Sequence, residues 1–238
     1  MRSINGRIAY LDAHLDRLIK SCGLLKLGIP VRPDRIKAEI AQRLILSASA
    51  DNYVRLTVER GGSGTSYSVL VRPYHPYPAE KYQLGFRAAI APGRQKAGYQ
   101  PAQIKTTLRG FYESGYEAAK KKGFDEALIL NDYGYVAEGT RSNVFMAKDG
   151  ELFTPELDSP CLDGITRKAV FILARLGGID VFEAKFTLAD LYVADEALLT
   201  NSLIGVMPLV AVENRGIASG KPGKLTRWFI KRYNSLLK

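Results

Sequence analysis

Three short stretches of this chain carry residue types suited to chemistry on an amine. Lys105 closes the apolar-flanked run Ala102-Gln103-Ile104 just before Thr106-Thr107. Glu138 lies in Val136-Ala137-Glu138-Gly139-Thr140-Arg141-Ser142-Asn143-Val144-Phe145, behind two apolar residues. Asp163-Gly164-Ile165-Thr166-Arg167 runs into Lys168-Ala169-Val170, where a helix should begin. A lysine at a strand end can be aimed into a cleft, where burial lowers its pKa and makes the amine nucleophilic. A carboxylate can face a ring nitrogen, and the orphan N–H groups of a helix start favour an anion. Together these are the parts needed to hold pyridoxal phosphate. Each has a plainer reading when taken alone: a solvated amine, a hairpin-end charge, an ordinary helix start.

Elements that could position these groups follow from periodicity and turn residues. Asn5-Gly6 between short strand-like runs predicts a hairpin, and Leu11, Leu15, Leu18, Ile19, Cys22 and Leu25 recur at helical spacing. Asp34 is expected to cap a second helix that turns Ile36, Ile40, Leu44 and Ile45 inward. Segments 53–59 and 67–71 read as strands joined by a long loop, Arg60-Gly61-Gly62-Ser63-Gly64, which is a turn rather than a phosphate cradle because no helix follows it. Pro73-Tyr74-His75-Pro76-Tyr77-Pro78 reads as an extended linker, so a domain boundary is expected there, with domains 1–75 and 76–238 and His75 structural. Beyond it a strand is expected over 85–91, a short one over 101–104 ending at Lys105, and a helix over 108–122 closed by Gly123. Strand 126–131, the turn Asp132-Tyr133-Gly134 and strand 135–138 carry Glu138. A hairpin about Lys148-Asp149-Gly150, a helix over 166–176 and an alternation of strands and helices to the C-terminus complete an α+β pair of domains.

Composition narrows the function classes. A chain of 238 residues, 46% hydrophobic and 24% charged, is that of a globular protein with a sizeable core. Its net charge of +10 suits anionic ligands, but the basic residues are dispersed and the densest run, Lys120-Lys121-Lys122, ends a predicted helix, which argues against nucleic acid as a partner. Two cysteines, Cys22 and Cys161, and two histidines, His14 and His75, make a disulfide framework or a zinc site improbable. No apolar stretch reaches the roughly 18 residues that span a bilayer, and a cytoplasmic location is expected by default.

The run Glu138-Gly139-Thr140-Arg141-Ser142-Asn143-Val144-Phe145, with Lys105 upstream and Gly164-Ile165-Thr166 downstream, resembles the class IV aminotransferases. These are the fold-type-IV pyridoxal-phosphate enzymes: branched-chain and D-amino acid aminotransferases and 4-amino-4-deoxychorismate lyase. The resemblance runs from about Leu11 to the C-terminus. It implies an α+β two-domain fold like that of D-amino acid aminotransferase, with a small N-terminal α/β domain and a larger C-terminal mixed domain. It implies pyridoxal 5'-phosphate as cofactor, Lys105 as the catalytic lysine that forms the imine, and Glu138 as the partner of the ring nitrogen. Ile165 and Thr166 would donate to the cofactor phosphate, Arg17 would pair with that phosphate across the domain cleft, and Ser202 would add a contact from a strand-end turn. A small-molecule amino substrate and a homodimer are implied as well, and no metal.

Within the family, three features favour the lyase, which expels pyruvate from aminodeoxychorismate and leaves 4-aminobenzoate. Asn201-Ser202-Leu203-Ile204-Gly205-Val206-Met207-Pro208 resembles an Asn-Ser-x-x-Gly-x-x-Pro pattern, Lys105 to Arg109 resembles Lys-x-x-x-Arg, and Arg60-Gly61-Gly62-Ser63-Gly64 is loosely similar to an Arg-Gly-x-Gly loop. The alternative is a branched-chain or D-amino acid aminotransferase. A non-catalytic binding protein of the same fold is disfavoured because Lys105 and Glu138 are both present. Relative to the family, strands expected ahead of Ile4-Asn5-Gly6-Arg7-Ile8 are missing, which predicts either a longer reading frame or a shortened and catalytically impaired member, with an unpaired sheet edge in the small domain.

Overall fold

The computed structural model describes residues 1–62 and 64–237, and the side chain of Gln100 is also left undescribed. The chain divides into two compact units: Met1–Pro76 with the chain end from Leu236, and Tyr77–Ser235. The division falls inside the proline-rich stretch.

In the first unit, β1 (Arg2–Ile4) and β2 (Arg7–Ile8) form a hairpin whose turn residues Asn5 and Gly6 both have positive φ, 49° and 77°. Asn-Gly suits this turn because both central residues must be left-handed. Helices α1 (Leu11–Leu24) and α2 (Pro33–Ile45) follow, then the long antiparallel hairpin β3 (Asp51–Gly61) and β4 (Gly64–Pro73), giving the sheet order β2-β1-β3-β4. Leu15 of α1 and Ile36, Ile40 and Leu44 of α2 pack on Val54 and Val69 of the sheet. Three expectations are corrected. Asp34 is not the cap: Pro33 opens α2, its ring presetting helical φ, and Arg32 takes the cap position. Ile45 is 83% exposed, because the buried row is 36, 40 and 44 and the next residue is turned about 100° away from it. The hairpin is tighter than predicted, with Gly61 opposite Gly64, and the expected loop's Ser63 lies outside the described residues.

The second unit begins with α3 (Ala79–Leu84), which hydrophobic periodicity does not reveal because none of its six residues is buried. There follow β5 (Phe86–Gln95), a 3-10 helix (Gln100–Gln103), α4 (Gly110–Lys121), β6 (Glu126–Asn131), β7 (Val136–Gly139), β8 (Asn143–Lys148) and β9 (Glu151–Thr154). The chain closes with α5 (Ile165–Leu176), β10 (Val181–Glu183), α6 (Leu188–Tyr192), β11 (Glu196–Asn201), β12 (Gly205–Val212), β13 (Arg215–Gly216) and α7 (Lys224–Leu236). Among the described residues nine strands form one mixed sheet in the order β10-β9-β8-β11-β12-β5-β6-β7, with β13 beside β12. β6 and β7 are buried along their whole length, and their mostly apolar runs each carry one buried carboxylate, Glu126 and Glu138. The strand expected at 101–104 is instead the 3-10 helix. Pro101 has the fixed φ of a helical first turn and no N–H to lend a strand ladder, while β5 runs on to Gln95 and takes the pairing beside β6. No helix among the described residues is long and apolar enough to cross a membrane, and none of their His, Cys, Asp and Glu side chains cluster as a metal site.

The packing of α2 is open to direct test. Ile40→Ala, at a side chain 1% exposed, should cost about 2–5 kcal/mol in urea unfolding, whereas Ile45→Ala should stay within about 0.5 kcal/mol of the parent. Equal losses would place the inward face of α2 elsewhere.

Candidate active site

Glu138 is carried on β7, opposite Ile129 of β6, and is only 5% exposed. Its Oε1 accepts a hydrogen bond from the Tyr112 hydroxyl at 3.1 Å and its Oε2 one from the Leu162 N–H at 3.0 Å. Burial pushes the carboxyl up to about 7, and the Leu162 amide, the charge of Lys105, the Tyr112 hydroxyl and the charge of Arg109 all work in the opposite direction. The carboxylate is therefore not a solvated hairpin charge. Lys105 lies in the irregular segment after the 3-10 helix and is exposed, not buried at a strand end as predicted. Its positive charge nonetheless acts on Glu138, so the two residues meet electrostatically.

The turn between β7 and β8 is held from below by a second buried carboxylate. Glu126, 3% exposed, accepts from the Thr140 hydroxyl, from the Ser142 hydroxyl at 2.9 Å, from the Arg141 N–H at 3.2 Å and from the Ala127 N–H at 2.9 Å. Gly139 is required there because a Cβ would run into Ser142 Oγ and the Glu126 carboxylate. Arg109 closes the other side, donating to the Thr140 carbonyl at 2.6 Å and stacking its guanidinium 4.4 Å from the Tyr112 ring centroid.

The same turn orders the start of α5. Asn143 donates to the Leu162 carbonyl at 2.7 Å, and a Cβ on Gly164 would collide with the Asn143 side chain, so only glycine can precede the helix. No side chain among the described residues caps α5, and Ile165 and Thr166 of its first turn are buried. Its first amides are therefore not taken by a side chain, and a helix start of this kind is suited to an anion. The Thr166 hydroxyl lies 3.4 Å from the Tyr233 hydroxyl. Ser202, half-buried, sits in the turn between β11 and β12. Asn201 ties that turn to the Glu138 loop, donating to the Arg141 carbonyl at 2.9 Å while its Oδ1 accepts from the Leu203 and Ile204 amides at 2.8 and 2.9 Å. Arg17 lies half-buried on α1 in the first unit.

Four residues of this arrangement escape a reading of the sequence: Tyr112, Gln95, whose Nε2 donates to the Tyr112 hydroxyl at 2.9 Å, Glu126, and Asn201 as a turn organiser. Glu126 had a signal, a carboxylate inside an otherwise apolar strand. Tyr112 and Gln95 had none, since nothing local says that α4 and the end of β5 face β7. Cys161, whose thiol burial pushes up to about 12, also faces Glu138 and stays protonated.

A pH dependence follows for the ligand-free protein. The folded-state value of Glu138 lies above its ordinary 4.5, so its contribution to stability is complete below about pH 4.5 and is lost as pH rises through 7. Between pH 5 and 8 the parent should lose on the order of 3 kcal/mol relative to Glu138→Gln. Urea unfolding of both proteins across that range checks it, and a pH-independent difference would contradict the burial argument.

Known proteins share this chain's sequence pattern and fold. Residues 1–212 match the Amino-transferase class IV family. A branched-chain-amino-acid aminotransferase of Pseudomonas aeruginosa is 31% identical over 97% of this chain and 78% of its own length. A D-alanine aminotransferase of Bacillus licheniformis is 28% identical over 95% of this chain and 82% of its own. Among solved structures, an Escherichia coli branched-chain amino acid aminotransferase superimposes with a TM-score of 0.90 at 25% identity, covering 100% of this chain and 84% of that one. A second branched-chain amino acid aminotransferase, solved with pyridoxamine 5'-phosphate, gives 0.88 at 26% identity, covering 99% and 83%. The chain belongs to the class IV aminotransferase family, whose members are pyridoxal-phosphate enzymes built on this two-domain fold.

Proposed function

We propose that the chain is a pyridoxal-phosphate-dependent aminotransferase that exchanges an amino group between an amino acid of branched-chain or D-alanine type and a 2-oxo acid. The observation that carries this reading is a buried carboxylate, Glu138, facing the charge of Lys105 beside a helix start whose amides no side chain caps. The site fits the cofactor. Each oxygen of Glu138 accepts one protein hydrogen bond, which leaves acceptor capacity for a ring N–H, and no side chain among the described residues caps the first amides of α5. When bound, pyridoxal phosphate supplies an aldehyde and an electron sink for the substrate α-carbon.

The chain's own groups have defined parts. Lys105 would hold the cofactor through Nζ and, once displaced by the substrate amine, would carry a proton on that nitrogen to and from the reacting carbon. Glu138 would keep the ring nitrogen protonated. The Ile165 and Thr166 amides, the Thr166 hydroxyl and Ser202 would hold the phosphate. The relatives named above are aminotransferases, which supports transamination over the lyase reaction. Two markers that favoured the lyase also have structural duties here: Arg109 braces the Thr140 carbonyl, and Asn201 organises its own turn. A homodimer belongs to the same proposal and is read from the mass in solution.

Three measurements test it. Borohydride reduction of the holoprotein should place the pyridoxyl group on Lys105, and a label on another lysine would end that assignment. Glu138→Gln should lower turnover on the order of 100-fold with cofactor still bound, because the carboxylate acts on the transition state. Branched-chain amino acids or D-alanine with 2-oxoglutarate should yield glutamate. Sustained pyruvate release from aminodeoxychorismate without an acceptor would restore the lyase.

A further inference from the structure

We propose that Tyr112 is a positioning residue for Glu138: its hydroxyl, oriented by the Gln95 carboxamide, fixes carboxylate Oε1 in place and favours the charged form that a ring nitrogen requires. The proposal rests on the reading of Glu138 as the partner of that nitrogen. Gln95 Nε2 donates to the Tyr112 oxygen at 2.9 Å, so the single phenolic proton is left for Glu138 Oε1 at 3.1 Å. The opposite orientation would set lone pairs of the phenol against those of the carboxylate. Gln95 is well held for the task. It is 7% exposed, its backbone pairs with Asn131 of β6, and its carbonyl accepts from the Asp132 N–H at 3.0 Å. Its Oε1 has no partner among the described residues, so the carboxamide is buried at a cost and its Nε2 bond goes to Tyr112.

A tyrosine is not needed there for packing. The ring packs against the apolar cluster that includes Ala89, Ile129 and Ala137, and a phenylalanine would do so as well without burying a hydroxyl. What the hydroxyl adds is a donor to an anion. Burial and the Glu138 charge hold the phenol well above its ordinary range, so it remains a donor at any working pH. The charged and titratable groups facing Glu138 come from several elements: Lys105 after the 3-10 helix, Arg109 ahead of α4, Tyr112 on α4 and Cys161 in the loop before α5. Lys105 and Arg109 favour the carboxylate by charge alone. Tyr112 and the Leu162 amide do so by hydrogen bonds directed at one oxygen each, which fixes the plane of the group as well as its charge.

The test begins on the cofactor-free protein, where the cofactor assignment does not enter. With carbon-13 at the glutamate Cδ, and Glu138→Gln identifying the signal, Tyr112→Phe should raise the Glu138 midpoint by about one pH unit. Gln95→Leu, which keeps the phenol and removes only its orienting donor, should shift the midpoint the same way by less. Thermal melts confirm that both variants are folded. An unchanged midpoint in folded Tyr112→Phe overturns the proposal. On adding pyridoxal phosphate, Tyr112→Phe should weaken binding about 3- to 10-fold at pH 8 and move the pH titration of the bound-cofactor absorbance in the direction that Glu138→Gln moves it further. A shifted midpoint with cofactor affinity and absorbance titration unmoved in both variants would support the Tyr112–Glu138 bond and overturn the placement of Glu138 against the ring.

Discussion

The architecture of the site depends on one buried carboxylate whose acceptor positions are filled by its own chain. Glu126 takes two hydroxyls and two amides, three of these donors coming from the turn between β7 and β8. A charge buried to this degree is tolerable only when hydrogen-bonded throughout, and meeting that demand ties the turn to β6. From the fixed turn the rest follows by contact. Glu138 precedes it, Asn143 follows it and binds the Leu162 carbonyl ahead of α5, and the Arg141 carbonyl receives Asn201 from the β11–β12 turn.

Two glutamates on neighbouring strands thus share an environment and differ in use. Burial raises both carboxyls, and donors offset it in both. Glu126 meets four donors and has nothing left to offer a ligand. Glu138 meets two, one on each oxygen, and looks toward the cations Lys105 and Arg109. The number and source of the donors, rather than burial, separate a structural carboxylate from one available for chemistry.

The anion-binding capacity of the chain is likewise a matter of which backbone amides are already engaged. In the turn after β11, Asn201 takes the Leu203 and Ile204 amides, so a ligand there would rely on Ser202. At the start of α7 the Glu196 carboxylate takes the Leu225 and Thr226 amides at 2.9 and 2.7 Å. The start of α5 has no such side chain among the described residues. A buried anion there would be held by dipole and amides together.

Much of this was legible in the amino-acid sequence, because it is local. The hairpins around Asn5-Gly6 and Asp149-Gly150 need left-handed residues and have them, and the apolar spacing of α2 and α5 matches a helical period. Glu138 behind Val136-Ala137, and Gly164-Ile165-Thr166 ahead of an amphipathic helix, identified the family from residue order alone. Local pattern failed where a neighbour distant in sequence or a special backbone residue decided the outcome. Pro33 displaced Asp34 from the cap of α2, and Pro101 turned an expected strand into a 3-10 helix that leaves Lys105 exposed. Only the tertiary structure brought Gln95, Tyr112 and Glu138 into one hydrogen-bonded line, because that line depends on which strand lies beside β6 and which face of α4 meets the sheet. A period of two or of 3.6 residues tells a side chain which way to face, but it carries no information about what it will face.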